Sequence, residues 1–97
     1  MKIYDKARWQ IDGGIESEMV VAHFKFIFDW LKEFNLLNEY GIKTLEDGID
    51  DEAILTDEML NIGGKNFLDS YYDEYISQIQ YGVQENADLL EQLYYRV

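Results

Sequence analysis

Between residues 17 and 37 the chain reads SEMVVAHFKFIFDWLKEFNLL, and its apolar positions recur at three- and four-residue spacing: Val20, Phe24, Ile27, Phe28, Leu31 and Phe34. A second apolar line runs through Val21, Trp30 and Leu37. Polar residues are held largely to a strip through Lys25, Asp29 and Lys32, where neighbours three and four apart can pair. This spacing predicts one helix over residues 17–37. A helix apolar around most of its girth is buried on several sides, so it should be the central one. Ser17 is placed to cap it, with Glu18 beside its positive end.

The flanking patterns are weaker. In residues 1–16, Ala7, Trp9 and Ile11 alternate with Arg8 and Gln10, which predicts an extended segment or half of a short hairpin. Asp12-Gly13-Gly14 then turns the chain. Tyr4, Trp9 and Ile15 should lie across the central helix, with Trp9 as the anchor in the core. Gly41 reads as a helix stop, and residues 42–55 are less regular. Thr56-Asp57-Glu58 supplies a cap and two first-turn acids. Leu60, Phe67, Tyr71, Tyr75 and Ile79 keep one phase after it, so a long helix is predicted over residues 57–81, with Gly63-Gly64 as a break or a close approach. Gly82 is a stop or kink. A last helix over residues 84–95 carries Ala87, Leu90, Leu93 and Tyr94 on one side. No internal repeat stands out. The expected fold is mainly α: a single-domain helical bundle over residues 1–97 with a buried central helix.

Composition narrows the setting. The 97 residues contain no cysteine, hence neither a disulfide framework nor a thiolate metal site. The start lacks a basic stretch followed by an apolar one, and charges interrupt residues 17–37. A signal peptide and a membrane span are therefore not expected, and a cytoplasmic protein is.

The net charge of −12 is unevenly spread: residues 1–43 carry −1 and residues 44–97 carry −11. Such a half repels nucleic acid and anionic membranes, and attracts a basic protein surface.

Candidate chemistry is sparse. His23 is the single histidine, placed among residues expected to be buried, and reads as a structural hydrogen-bond partner. Asp47, Asp50, Asp51 and Glu52 lack the alternate spacing of a calcium loop. There is no phosphate loop, nucleophile elbow or cysteine nucleophile, so neither an enzyme nor a cofactor is expected. The segment Asp69, Tyr71, Tyr72, Asp73, Glu74, Tyr75 interleaves acids with tyrosines, a composition suited to an interface with a basic partner. With Tyr71 and Tyr75 turned inward, Tyr72 should sit at the edge beside Asp69 and Asp73.

Several pieces recur together in a known pattern. Tyr4-Asp5-x-Ala7-x-Trp9, His23 with Phe28-x-Trp30-Leu31, Leu55-Thr56-Asp57-Glu58-Met59-Leu60-Asn61, Gly64-x-Asn66-Phe67 and Tyr71-Tyr72 resemble, in order and spacing, a family of small uncharacterised bacterial proteins. The resemblance covers about residues 4–76. It departs at Gly63, where the family pattern has an acid, and in the apolar richness of Phe24 to Phe28. The family is a domain of unknown function, so the resemblance implies a fold more than an activity. Small acidic bacterial proteins of this kind are associated with immunity to polymorphic toxins.

The resulting expectation is a non-enzymatic, acidic protein-binding domain, an immunity or inhibitor protein that occludes a basic site on a toxin. Asp69, Tyr72, Asp73 and Glu74 would make the contact, with Asp50, Asp51 and Glu52 at the rim. Two alternatives stay open. One is a nucleic-acid mimic of the phage type that blocks a DNA-binding protein, without itself binding nucleic acid. The other is a homo-oligomeric structural module, starting from a homodimer.

Overall fold

A computed structural model describes residues 1–79 and 85–95. The chain runs β1 (Ile3–Lys6), α1 (Ala7–Asp12), α2 (Ser17–Glu33), α3 (Glu39–Asp47), β2 (Ile54–Thr56), a 3-10 turn (Asp57–Met59), α4 (Ile62–Gln78) and α5 (Glu85–Tyr94). It is mainly helical, with one two-stranded antiparallel sheet. The sheet is not a local hairpin: Ile3 faces Thr56 and Lys6 faces Ile54, with an irregularity between Ile3 and Asp5.

The central helix is where the apolar spacing puts it. Val20, Phe24, Ile27, Phe28, Trp30 and Leu31 of α2 are buried, with His23 among them. Phe67, Leu68, Tyr72 and Tyr75 of α4 and Leu90 and Leu93 of α5 belong to the same core. Its first residue is Ser17 rather than its cap: Glu16 occupies the cap position, and no side chain bonds there. The helix closes earlier than Leu37. Asn35 takes the left-handed conformation with φ 58°. The Asn35 N–H then donates to Lys32 O at 3.0 Å, and the Leu36 N–H donates to Leu31 O at 2.8 Å. These two bonds satisfy orphan carbonyls of the last turn, the pairing expected when a left-handed residue follows a helix.

Two short sequences then lock together. Leu37-Asn38-x-x-Gly41 opens α3, and Leu60-Asn61-x-x-Gly64 opens α4. Each asparagine caps its own helix, accepting from the glycine N–H three residues on at 2.9 Å. Each also reaches across to the other segment. The Asn38 N–H donates to Met59 O and the Asn61 N–H to Leu36 O, at 3.0 and 3.1 Å. The Asn38 Nδ2 donates to Glu58 O and the Asn61 Nδ2 to Asn35 O, both at 2.7 Å. Leu37 and Leu60 form an antiparallel bridge between them. The two segments are thus related by a local two-fold pattern, a five-residue repeat that apolar periodicity does not detect.

This joint explains the glycines. A Cβ on Gly41 would collide with Met59 O, and one on Gly64 with Leu36 O. Gly41 is therefore a point of close approach inside the first turn of α3, not a helix stop. Gly64 plays the same part at the start of α4, which runs Ile62–Gln78 rather than over residues 57–81. Residues 57–59 form a separate 3-10 turn in which Thr56 makes no side-chain cap bond. Gly63 is exposed in the first turn of α4, where an acid would suit the positive helix end. The expectations for Tyr81, Gly82, Gln84 and the side chain of Ala87 lie outside the described residues.

The N-terminal segment departs most from its pattern. Residues 7–12 are helical, and Trp9 is 53% exposed. Ala7 and Ile11 face inward, four apart on a helix, and this leaves Trp9 outward between them. The Lys6 ammonium lies 5.7 Å from the Trp9 ring centre. Trp9 is not the anchor of the core, whereas Tyr4 and Ile15 do pack against it.

Gly64→Ala should destabilise by about 3 kcal/mol, because backbone must move to admit the methyl group. Gly63→Ala meets only contacts at 3.4 Å and should gain up to ~1 kcal/mol from helix propensity. Urea denaturation of both variants checks the contrast, and equal effects would contradict the joint. Trp9→Ala should cost no more than ~1 kcal/mol in the same assay, the scale of an exposed cation–π contact.

Candidate functional site

The expected contact residues divide into two groups at opposite ends of β1. At its start, the Lys2 Nζ and the Tyr4 hydroxyl both donate to Asp69 Oδ1, at 3.0 and 2.6 Å. Burial, and after it the Asp69 carboxylate, raises the Tyr4 hydroxyl well above its ordinary range. The Tyr4 and Lys2 hydrogen bonds hold Asp69 below the usual carboxylate range. Just past the end of β1, the Arg8 guanidinium grips Glu52 at 2.9 Å and Asp51 at 2.8 Å. The Asp50 carboxylate accepts from the Glu52 N–H at 2.9 Å and fixes this loop. Asp69, Asp51 and Glu52 thus bind cations of the protein itself.

Tyr72 is not at an edge. It is 3% exposed, and its hydroxyl donates to Asp5 Oδ2 at 2.7 Å. Asp5 is itself buried and also accepts from Gln10 Nε2 and the Lys6 N–H. The carboxylate thereby ties α4, β1 and α1 together, because a buried charge demands donors on every side. Of the tyrosine-rich segment, Asp73 is exposed and Glu74 half-buried. The structure therefore leaves Asp73 and the outer edge of the Asp50 loop to solvent, with Tyr72 buried away from that surface.

His23 stacks on Tyr75, with ring centres 5.9 Å apart and planes 10° apart. Burial pushes its pKa down from 6.5 to about 4, so the imidazole is neutral near pH 7. Among the described residues, no three His, Asp or Glu side chains are grouped to hold a metal ion.

A feature absent from the sequence reading lies on the outer face of α2. There a groove of about 440 Å³ opens against α5. Its apolar lining is Ala22, half-buried Phe26 and buried Trp30. Its charged lining is Lys25, Asp29 and Glu33 of α2 with Glu91 of α5, all exposed. The α2 residues fall at i, i+3, i+4, i+7, i+8 and i+11, one stripe along the helix. The signal was the strip through Lys25 and Asp29, but periodicity reads such a strip as solvated surface and cannot see a second helix beside it.

No family model matches the chain, and neither a curated protein nor a solved structure does. Among the described residues, no helix is long and apolar enough to cross a membrane.

The buried histidine makes a pH prediction. Its folded pKa lies below its unfolded one, so protons bind preferentially to the unfolded chain. The stability is complete above pH 6.5 and is lost as pH falls towards about 4. From pH 7 to pH 5 this group should remove about 2 kcal/mol. His23→Phe, followed by denaturation at both pH values, should lose that part of the slope. A variant with the parent's full slope over this window would clear His23 of the effect.

Proposed function

We propose that this is a non-enzymatic binding protein of the cytoplasm, an inhibitor of the immunity type, whose acidic surface occludes a basic site on a partner protein. The observation that carries the reading is unneutralised charge. The ion pairs among the described residues all use Lys2 or Arg8. Asp29, Glu33, Glu46, Asp47, Asp73 and Glu91 are exposed and close none.

Their placement is costly as well as abundant. Glu46 and Asp47 end α3, whose last turn holds no basic residue. Acids at a negative helix end each cost roughly 0.3–1 kcal/mol. Solubility alone could be met by acids placed elsewhere. A basic partner gains both faster encounter and a complementary surface from them. The resemblance to small acidic bacterial proteins associated with toxin immunity supports the same reading.

The test is capture of partners on the tagged protein at about 50 mM and about 300 mM salt, beside a Glu46→Lys/Asp47→Lys variant. The expected result is one basic protein in near-stoichiometric amount, weakened by salt and by the charge reversal. Recovery of the bait alone at low salt would overturn the proposal. Displacement of the captured protein by plain duplex DNA would replace it with nucleic-acid mimicry.

A further inference from the structure

We propose that the groove between α2 and α5 is the docking site for a basic peptide segment that carries one large apolar side chain. This deepens the reading of an acidic inhibitor by naming where its partner anchors, and it rests on that reading.

The groove supplies three kinds of contact at once. Ala22, Phe26 and Trp30 give it an apolar lining. Aromatic groups in such a recess are where binding energy concentrates, since they bury much area at small entropic cost. Asp29, Glu33 and Glu91 line the rim, against the single cation Lys25. No ion pair among the described residues neutralises these three carboxylates. A lysine or arginine beside the anchor would meet them, and an arginine could also lie against an aromatic face.

The third contact is an unmet demand. Trp30 is 4% exposed, and its indole N–H has no hydrogen-bond partner. A buried donor of this kind is uncommon and calls for an acceptor. The groove that Trp30 lines is where a peptide carbonyl could supply one.

The size is also suitable. The α2 stripe from Ala22 to Glu33 spans about 16 Å along the helix axis at 1.5 Å per residue. An extended segment of four or five residues covers that length. Lys25 gives the site polarity: the basic groups of the occupant belong towards Asp29 and Glu33, away from Lys25.

The probe is the acetylated and amidated peptide Arg-Phe-Arg-Arg, titrated into the full-length ¹⁵N-labelled chain at low salt. Glu-Phe-Glu-Glu and Arg-Gly-Arg-Arg are the controls. The expected result is a saturable shift of the Trp30 indole and of backbone resonances over residues 22–33, absent with the acidic peptide. The glycine peptide should bind at least ~10-fold more weakly, for want of the apolar anchor. Asp29→Lys/Glu33→Lys, on an exposed face, should abolish the response while leaving the remaining spectrum in place.

Shifts confined to the Asp50 loop or to Asp73 would overturn the groove while leaving the acidic-inhibitor reading standing. Equal binding of the glycine peptide would also overturn it, by showing charge without an anchor. An intact groove response to Arg-Phe-Arg-Arg combined with failure to capture any basic protein would keep the site and remove the inhibitor reading.

Discussion

The reciprocal capping of Asn38 and Asn61 is the constraint on which the rest of the arrangement depends. Each side chain satisfies its own helix start and the backbone of the segment opposite. Backbone groups at a helix start have no intrahelical partner, and burying them without one is expensive. Joining two helix starts back to back satisfies both sets with two residues. Carbonyl oxygens must then lie where a side chain would project from the third residue of each helix, so that residue must be glycine. The joint fixes α3 and α4 relative to each other. Through Leu36 and Leu37 it also fixes how α2 hands the chain on.

Asp5 plays the complementary part at the other side of the core. Its carboxylate is buried and held by donors from Tyr72, Gln10 and the Lys6 backbone. Removing one donor from such a group exposes the desolvation cost of the charge, typically a few kcal/mol. This explains why a tyrosine in an acid-rich, surface-like stretch turns inward. It also explains why β1, only four residues long, holds its place.

The parts of the fold legible in the sequence are those where one period dominates. Residues 17–33 repeat at helical spacing for nearly five turns, and no other structure accommodates that pattern. Residues 7–11 are too short for such discrimination. Ala7 and Ile11 are four apart, a separation that both a strand and a helix place on one face. Only Trp9 distinguishes the two, and it lies outward in the helix. Gly41 was ambiguous for a different reason: glycine ends helices and also permits close approach, and the choice depends on Met59, distant in sequence. Tyr71 and Tyr72 differ by one position on a helix, and a buried acceptor on β1 decides between them. The charge imbalance was visible at once. Its partial neutralisation by Lys2 and Arg8, and the groove beside α5, required the contacts of the folded chain.

The pairing of Ile3 with Thr56 also has a consequence for synthesis. β1 is made before its partner strand, about fifty residues earlier in the chain. At elongation rates of about 5–20 residues per second the interval is roughly 3–10 seconds, far longer than a helix such as α2 needs to form. Throughout it, a strand with unpaired backbone edges waits on the growing chain. Lys2 precedes that strand, Lys6 ends it and Arg8 follows it. Like charges at an open edge discourage two nascent copies on neighbouring ribosomes from pairing with each other. When the segment around Glu52 emerges, Asp51 and Glu52 meet Arg8, and one of those guarding charges becomes part of the clasp.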